Sequence, residues 1–373
     1  MNDKLAQTNR DLLHQVSVLR TAISSANVAT LMKPYVESVL AMCEALHLEA
    51  LRQLKDLAYR LEGTIPDILE ATQRAGNLLD LVNTRFAPPI IRFAQDDCLP
   101  LAFINWLHEE HAVTRGKPFA VSDGGFAVYP TPDWPIVYFL PVTRRMTLLL
   151  LPFLIHEFGH LLYACHKPEL DELVGEFQQR VARVLAPTTV RDRGPATNDE
   201  GSQRAVAEAW YPWTQEVFCD AVGLAVGGES YLKAFSHYFR FRSSQEYYLP
   251  RRDQLLRRHP VTRIRTTMLV DRARQLGLSG AASEVAEVWL LTARTLGILE
   301  DYEGTWVDEL FIPLREIIDN MLEESSPVSY SALPESAPLP TINEAWSRFE
   351  KNEPDFAAWE KSAIDTYLDN AIG

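Results

Sequence analysis

The chain has 373 residues, 47% of them hydrophobic and 23% charged, with a net charge of −14, the composition of a globular protein with one large or two modest domains. The negative balance argues against a general nucleic-acid binder, which needs a basic face. The four cysteines, Cys43, Cys98, Cys165 and Cys219, form no CxxC pair, so they predict reduced thiols in a cytoplasmic protein and no disulfide framework.

Taken in chain order, Met1-Asn2-Asp3-Lys4-Leu5 leads into a polar helix without the apolar core of a signal peptide. Leu5, Leu12, Val16, Leu19 and Ile23 recur at helical spacing, and a second periodic stretch covers residues 36–61. Thr64-Ile65-Pro66 interrupts the pattern before a third helix over 67–82. Residues 1–85 therefore form an N-terminal helical region, a cover or dimerisation element without chemistry of its own. Pro88-Pro89 opens a core of residues 86–325. Within it, Phe126–Tyr129 and Ile136–Leu140 are the best strands, separated by proline-rich turn residues. That hairpin is expected either to hold an extended peptide by its edge or to pack on the core.

Residues 146–163 predict one buried helix, ending near His166-Lys167-Pro168 because proline continues a helix poorly. The run approaches the length of a membrane span, but its ionisable residues would be very costly in lipid, so no transmembrane segment is expected. An amphipathic helix over 169–185 follows, then a polar loop over 187–203. Further helices are expected from 205 or 213 to 241, around 263–276, and from 282 to 322. A proline- and serine-rich linker, 326–340, precedes an acidic tail, 341–373, predicted to hold one or two short helices. From Asp301 onward sixteen acidic side chains face four basic ones, whereas Arg240 to Arg274 contains ten arginines. A solvated tail beside a salt-bridged basic segment explains this. Docking of the tail on Arg251, Arg252, Arg257 and Arg258 is the alternative.

Inside the apolar run lies His156-Glu157-Phe158-Gly159-His160, an HExxH pentad. Histidines four apart on a helix differ by about 40° in direction and about 6 Å in height. Both imidazoles can therefore share one tetrahedral Zn2+. Glu157 stands beside the metal, where it can take a proton from a zinc-bound water. Chance would produce such a pentad in roughly one or two sequences per hundred of this length. Two core histidines with a buried glutamate would fit it too, but burying three ionisable groups beside Leu148–Leu151 is costly without a cation.

A catalytic zinc site needs a third protein ligand and one open position. His166 has the spacing of an extended HExxHxxGxxH motif, but Tyr163 stands where that motif needs glycine, and a bulky residue resists positive φ. A continuing helix would carry His166 about 15 Å along the axis. The other candidate is Glu216, in a segment where Asp220 follows one helical turn later. Trp213, Val217, Phe218, Ala221 and Val222 imply burial, and buried carboxylates need partners. Glu216 is thus expected to complete the metal set with His156 and His160. Asp220 is expected to accept a hydrogen bond from a ligand imidazole, fixing its tautomer.

HExxH followed by ExxxD resembles the gluzincin class of zinc peptidases. His259-Pro260-Val261-Thr262-Arg263-Ile264-Arg265 is similar to the HPPxxxR signature of the CAAX-prenyl-protease and HtpX-like peptidases, with Val261 in place of the second proline. The resemblance covers roughly residues 140–270 and lacks that family's membrane helices. It implies a zincin-like catalytic core on a mainly α fold with a small β-hairpin or sheet, and a peptide or protein substrate. With the residue chemistry it implies hydrolysis by a zinc-activated water, with Glu157 as general base. His259 is then the candidate for stabilising the oxyanion, with Arg263 or Arg265 as substitutes. Two other readings remain open: a catalytically silent zinc-fold binding or regulatory protein, disfavoured by the intact Glu157, and a non-peptidase zinc hydrolase.

Overall fold

Heptad-like spacing is what builds the first helix. Leu5, Asn9, Leu12, Val16, Leu19 and Ile23 alternate by four and three residues and are all buried on one face of α1 (Asn2–Ser25), as the helical repeat dictates. The computed structural model describes residues 2–59, 65–131, 133–185, 200–240, 259–297, 305–333 and 337–372; the side chains of 200–203 and 372 are left aside. The described residues are mainly helical, with one three-stranded sheet. They fall into two compact units, one holding residues up to Glu109, Thr114–Met146 and the end of the chain from Ile364, the other Glu110–Val113 and Thr147–Ala363.

In the first unit, α1 packs with α2 (Lys33–Ala58) and α3 (Ile65–Leu81). A buried polar chain joins the three: Asn9 Nδ2 donates to Thr72 Oγ1 at 3.0 Å, and that hydroxyl donates to Gln53 Oε1 at 2.8 Å. Such a network favours one register of apolar helices over others. A π-helical turn, Val82–Phe86, links α3 to α4 (Pro88–Ile91), and α5 (Cys98–Glu110) follows. Pro88 and Pro89 thus start a helix, where no backbone N–H is missed, and α4 packs on strand β1 (Phe119–Asp123).

The hairpin expected from the sequence is present. β2 (Ala127–Tyr129) pairs antiparallel with β3 (Ile136–Leu140), with Ala127 opposite Phe139 and Tyr129 opposite Val137. The sheet adds β1, parallel to β3 from Phe119 opposite Ile136 to Asp123 opposite Leu140, giving the order β1-β3-β2. Central β3 is buried at every position but Phe139, so both of its faces are largely covered. Buried Arg145 ties Asp97, at 2.5 Å, to Asp123.

The second unit holds α6 (Phe153–Cys165), α7 (Lys167–Val184), α8 (Glu200–Phe239), α9 (Thr262–Gln275), α10 (Ser279–Thr295), α11 (Phe311–Ser325) and α12 (Leu339–Glu350). The final helix, α13 (Phe356–Ile372), spans the division at Ile364. The expected single helix over 146–163 is shorter. Leu148–Leu151 form turns, and α6 starts only after Pro152, because a proline disfavours helical geometry in the residue before it. Glu360 secures that turn, accepting from Thr147 Oγ1 at 2.9 Å and from the Leu148 N–H at 2.8 Å. The two units also divide the chain at other places than the four sequence segments. The sheet and α5 go with the N-terminal helices, and α12 packs on α8. The polar loop of 187–203, up to residue 199, and Arg251, Arg252, Arg257 and Arg258 lie outside the described residues. Among the described residues, no helix is long and apolar enough to cross a membrane.

Candidate metal centre

The site is built where α6 crosses α8, and glycine permits the crossing. A Cβ on Gly159 would stand 2.9 Å from the Cys219 Cα, and one on Gly227 would stand 2.8 Å from Ile155 Cδ1. Both distances are shorter than real contacts; the Ile155 tip can yield, but the Cys219 backbone cannot, so the bare backbone at Gly159 sets how near the helices come. That closeness brings His156 and His160 of α6 against Glu216 of α8.

His156 Nε2 is 3.3 Å from Glu216 Oε2, and His160 Nε2 is 3.4 Å from Glu216 Oε1. One ligand atom from each of the three residues falls within 4.8 Å of the others, a group that could hold a metal ion. Ligands bound at the usual zinc distances occupy tetrahedral corners about 3.3–3.4 Å apart, so each histidine nitrogen stands about one such edge from a different oxygen of Glu216. Glu216 Oε2 is buried and makes no hydrogen bond of good geometry. A buried carboxylate oxygen needs positive compensation; His156 and Arg265 stand near without closing a hydrogen bond on it, and the donor set fits a cation. The imidazole planes are nearly perpendicular, at 86°, with centroids 5.1 Å apart.

Asp220, one turn beyond Glu216, is 1% exposed. Its Oδ1 accepts from His156 Nδ1 at 2.9 Å, the Tyr231 hydroxyl at 2.7 Å and Arg265 Nη2 at 2.7 Å. Its Oδ2 accepts from Arg265 Nε at 2.6 Å. Holding the proton on His156 Nδ1 turns the Nε2 lone pair toward Glu216, the arrangement found behind metal-bound histidines. Burial alone would depress the His156 pKa, but its contacts with Asp220 and Glu216 outweigh that and push it up to about 10. Burial would likewise raise both carboxyls. The two histidines instead hold Glu216 well below its ordinary value, and Arg265 with His156 holds Asp220 below its own. The cluster favours positive charge at this point, whether on a proton or a metal.

Glu157, also on α6, is buried, and desolvation pushes its pKa up despite the nearby histidines. His259, just before α9, keeps 61% of its side chain exposed, with Nε2 3.5 Å from Glu216 Oε1. Arg265 stands differently from its expectation as an oxyanion donor. It is 3% exposed, forks onto Asp220, approaches Glu216 Oε2 at 3.6 Å and lies over the rings of Phe235 and Phe239 at 5.3 and 5.1 Å. A guanidinium so enclosed orients carboxylates and has no face left for a substrate. His166 caps the end of α6 and is not part of the group of three. The helix passes through Tyr163 without turning back. Tyr231 was not singled out from the sequence, although Gly227-Gly228 inside a helical pattern is the signal of a break that could deliver it.

No family model, no curated protein and no solved structure matches the chain. The resemblance to gluzincins therefore rests on the sequence motifs alone.

Proposed function

We propose that the chain is a zinc-dependent endopeptidase with a zincin-like catalytic core of the gluzincin type, acting on a peptide or protein substrate. The observation that supports it best is the convergence of His156, His160 and Glu216 at separations of 3.3 and 3.4 Å, with Glu157 adjacent in sequence on the same buried helix. When bound, zinc supplies Lewis acidity toward water and toward the scissile carbonyl. Glu157 accepts the proton of the attacking water and returns it to the leaving amine nitrogen. His259, exposed beside Glu216, donates a hydrogen bond to the carbonyl oxygen as it becomes negative. Asp220 keeps His156 in the tautomer that ligation requires. The four scattered cysteines, with no CxxC pair, support a cytoplasmic setting for this activity.

Elemental analysis and a peptide library read by mass spectrometry test the proposal together. Wild type is expected to carry about one zinc per chain, and Glu216→Ala to lose it. Glu157→Gln is expected to keep the zinc and abolish cleavage, because an amide cannot take the proton. Full zinc in Glu216→Ala would refute the ligand set. Equal cleavage by wild type and Glu157→Gln would remove Glu157 from the chemistry, and no cleavage by either would favour a zinc-fold binding protein.

A further inference from the structure

Tyr231 reaches Asp220 only because α8 is broken. The two residues are eleven apart, a distance of about 16 Å along an unbroken helix and far beyond a tyrosine's length. At Gly228 the backbone takes φ 56° and ψ −136°, a region open in practice to glycine alone. Beyond this break the Tyr231 ring lies against Gly223, where a Cβ would meet Cζ at 2.4 Å. Its hydroxyl then donates to Asp220 Oδ1 at 2.7 Å and stands 3.4 Å from His156 Nδ1. Phenol and imidazole thus share one acceptor oxygen, which Arg265 also holds. Arg265 grips both carboxylate oxygens, and the phenol adds a donor from beyond the break.

We infer that Tyr231 is a positioning residue of the metal centre, delivered by the break at Gly228, and this rests on the zinc reading above. The hydroxyl fixes Asp220, Asp220 fixes His156 Nδ1–H, and the Nε2 lone pair is thereby aimed. Neither Gly228 nor Tyr231 belongs to HExxH, ExxxD or the His259–Arg265 segment. The ring also packs near Phe153 and Phe235, each with centroids 6.3 Å away, a structural role that phenylalanine would preserve.

Full-length wild type, Tyr231→Phe, Gly228→Ala and the double variant are compared by zinc competition against a calibrated chelator and by the absorption spectrum of the cobalt-substituted protein. Tyr231→Phe is expected to bind zinc about ten-fold more weakly, the low end for loss of an outer partner, and to shift the cobalt spectrum. Gly228→Ala is expected to weaken binding at least as much, with no further loss in the double variant, since coupled residues are non-additive. Wild-type affinity and spectrum in Tyr231→Phe would overturn the inference while leaving the zinc reading standing. Absence of zinc binding in wild type would overturn both. If Gly228→Ala fails to fold, Tyr231→Phe alone decides.

Discussion

At Gly159 a single methyl group has nowhere to go, because the atom it would meet at 2.9 Å is the Cys219 Cα rather than a yielding side-chain tip. Alanine there must separate α6 from α8, although alanine is the better helix former. Gly159→Ala is expected to cost about 1–3 kcal/mol by overpacking and to weaken zinc binding by moving both histidines from Glu216. Denaturant unfolding and chelator competition check the two effects, and an unchanged affinity would show that the crossing has slack. Asp220 carries a double load, orienting His156 and neutralising buried Arg265. Asp220→Asn is expected to reduce zinc affinity by roughly 10–100-fold. Both variants remove the counter-charge of buried Arg265, and Asp220→Ala, which removes the acceptor oxygens as well, is expected to lose about 3–5 kcal/mol of stability. Thermal unfolding of the two variants measures what the acceptor oxygen adds once the charge is gone.

The helices around the site are joined by polar clamps as well as by apolar contacts. Asp171 on α7 accepts from Tyr163 of α6 at 2.6 Å, from Tyr211 of α8 at 2.7 Å and from Lys167 of its own helix at 2.5 Å. Its partial burial would raise the carboxyl pKa, but these three donors hold it below the ordinary value. A folded pKa below the unfolded one of about 3.9 contributes stability that is present above that pH and lost as pH falls through the folded value. Asp171→Asn is therefore expected to lower stability at pH 7 and to lessen the loss of stability below about pH 4. Unfolding curves at both pH values measure this, and parallel pH profiles for wild type and variant would exclude the clamp as an acid-sensitive contact. The break in α8 acts at the same scale, converting one helix into two segments, the first carrying Asp220 and the second returning Tyr231 to it.

At the scale of the whole molecule, the acidic C-terminal segment belongs to the folded structure. α12 buries Leu339, Ile342, Ala345 and Trp346, and it packs on α8. Lys233 of α8 pairs with Glu350 at 2.8 Å, and Glu360 holds the turn ahead of α6. Each large apolar side chain buried contributes about 1.5–3 kcal/mol, against a total stability of about 5–15 kcal/mol for a folded domain. Truncation after Ser326 is therefore expected to lower the thermal midpoint sharply and to expose apolar surface. A truncated chain with an unchanged midpoint would restore the picture of a solvated tail. The sequence by itself determined the helical periods of α1–α3, the β2–β3 pair, the stop after Cys165 and the His156–Glu157–His160 helix, because each is a local pattern of period 3.6, period 2 or turn chemistry. It also pointed to Glu216 and Asp220, since buried carboxylates one turn apart need partners. Only the tertiary structure decided that α12 is seated on α8, that Arg265 is enclosed against Asp220 and that Tyr231 returns to it. Those relations depend on which helix faces approach and how closely, and residues far apart in the chain set them through packing that local periodicity does not encode.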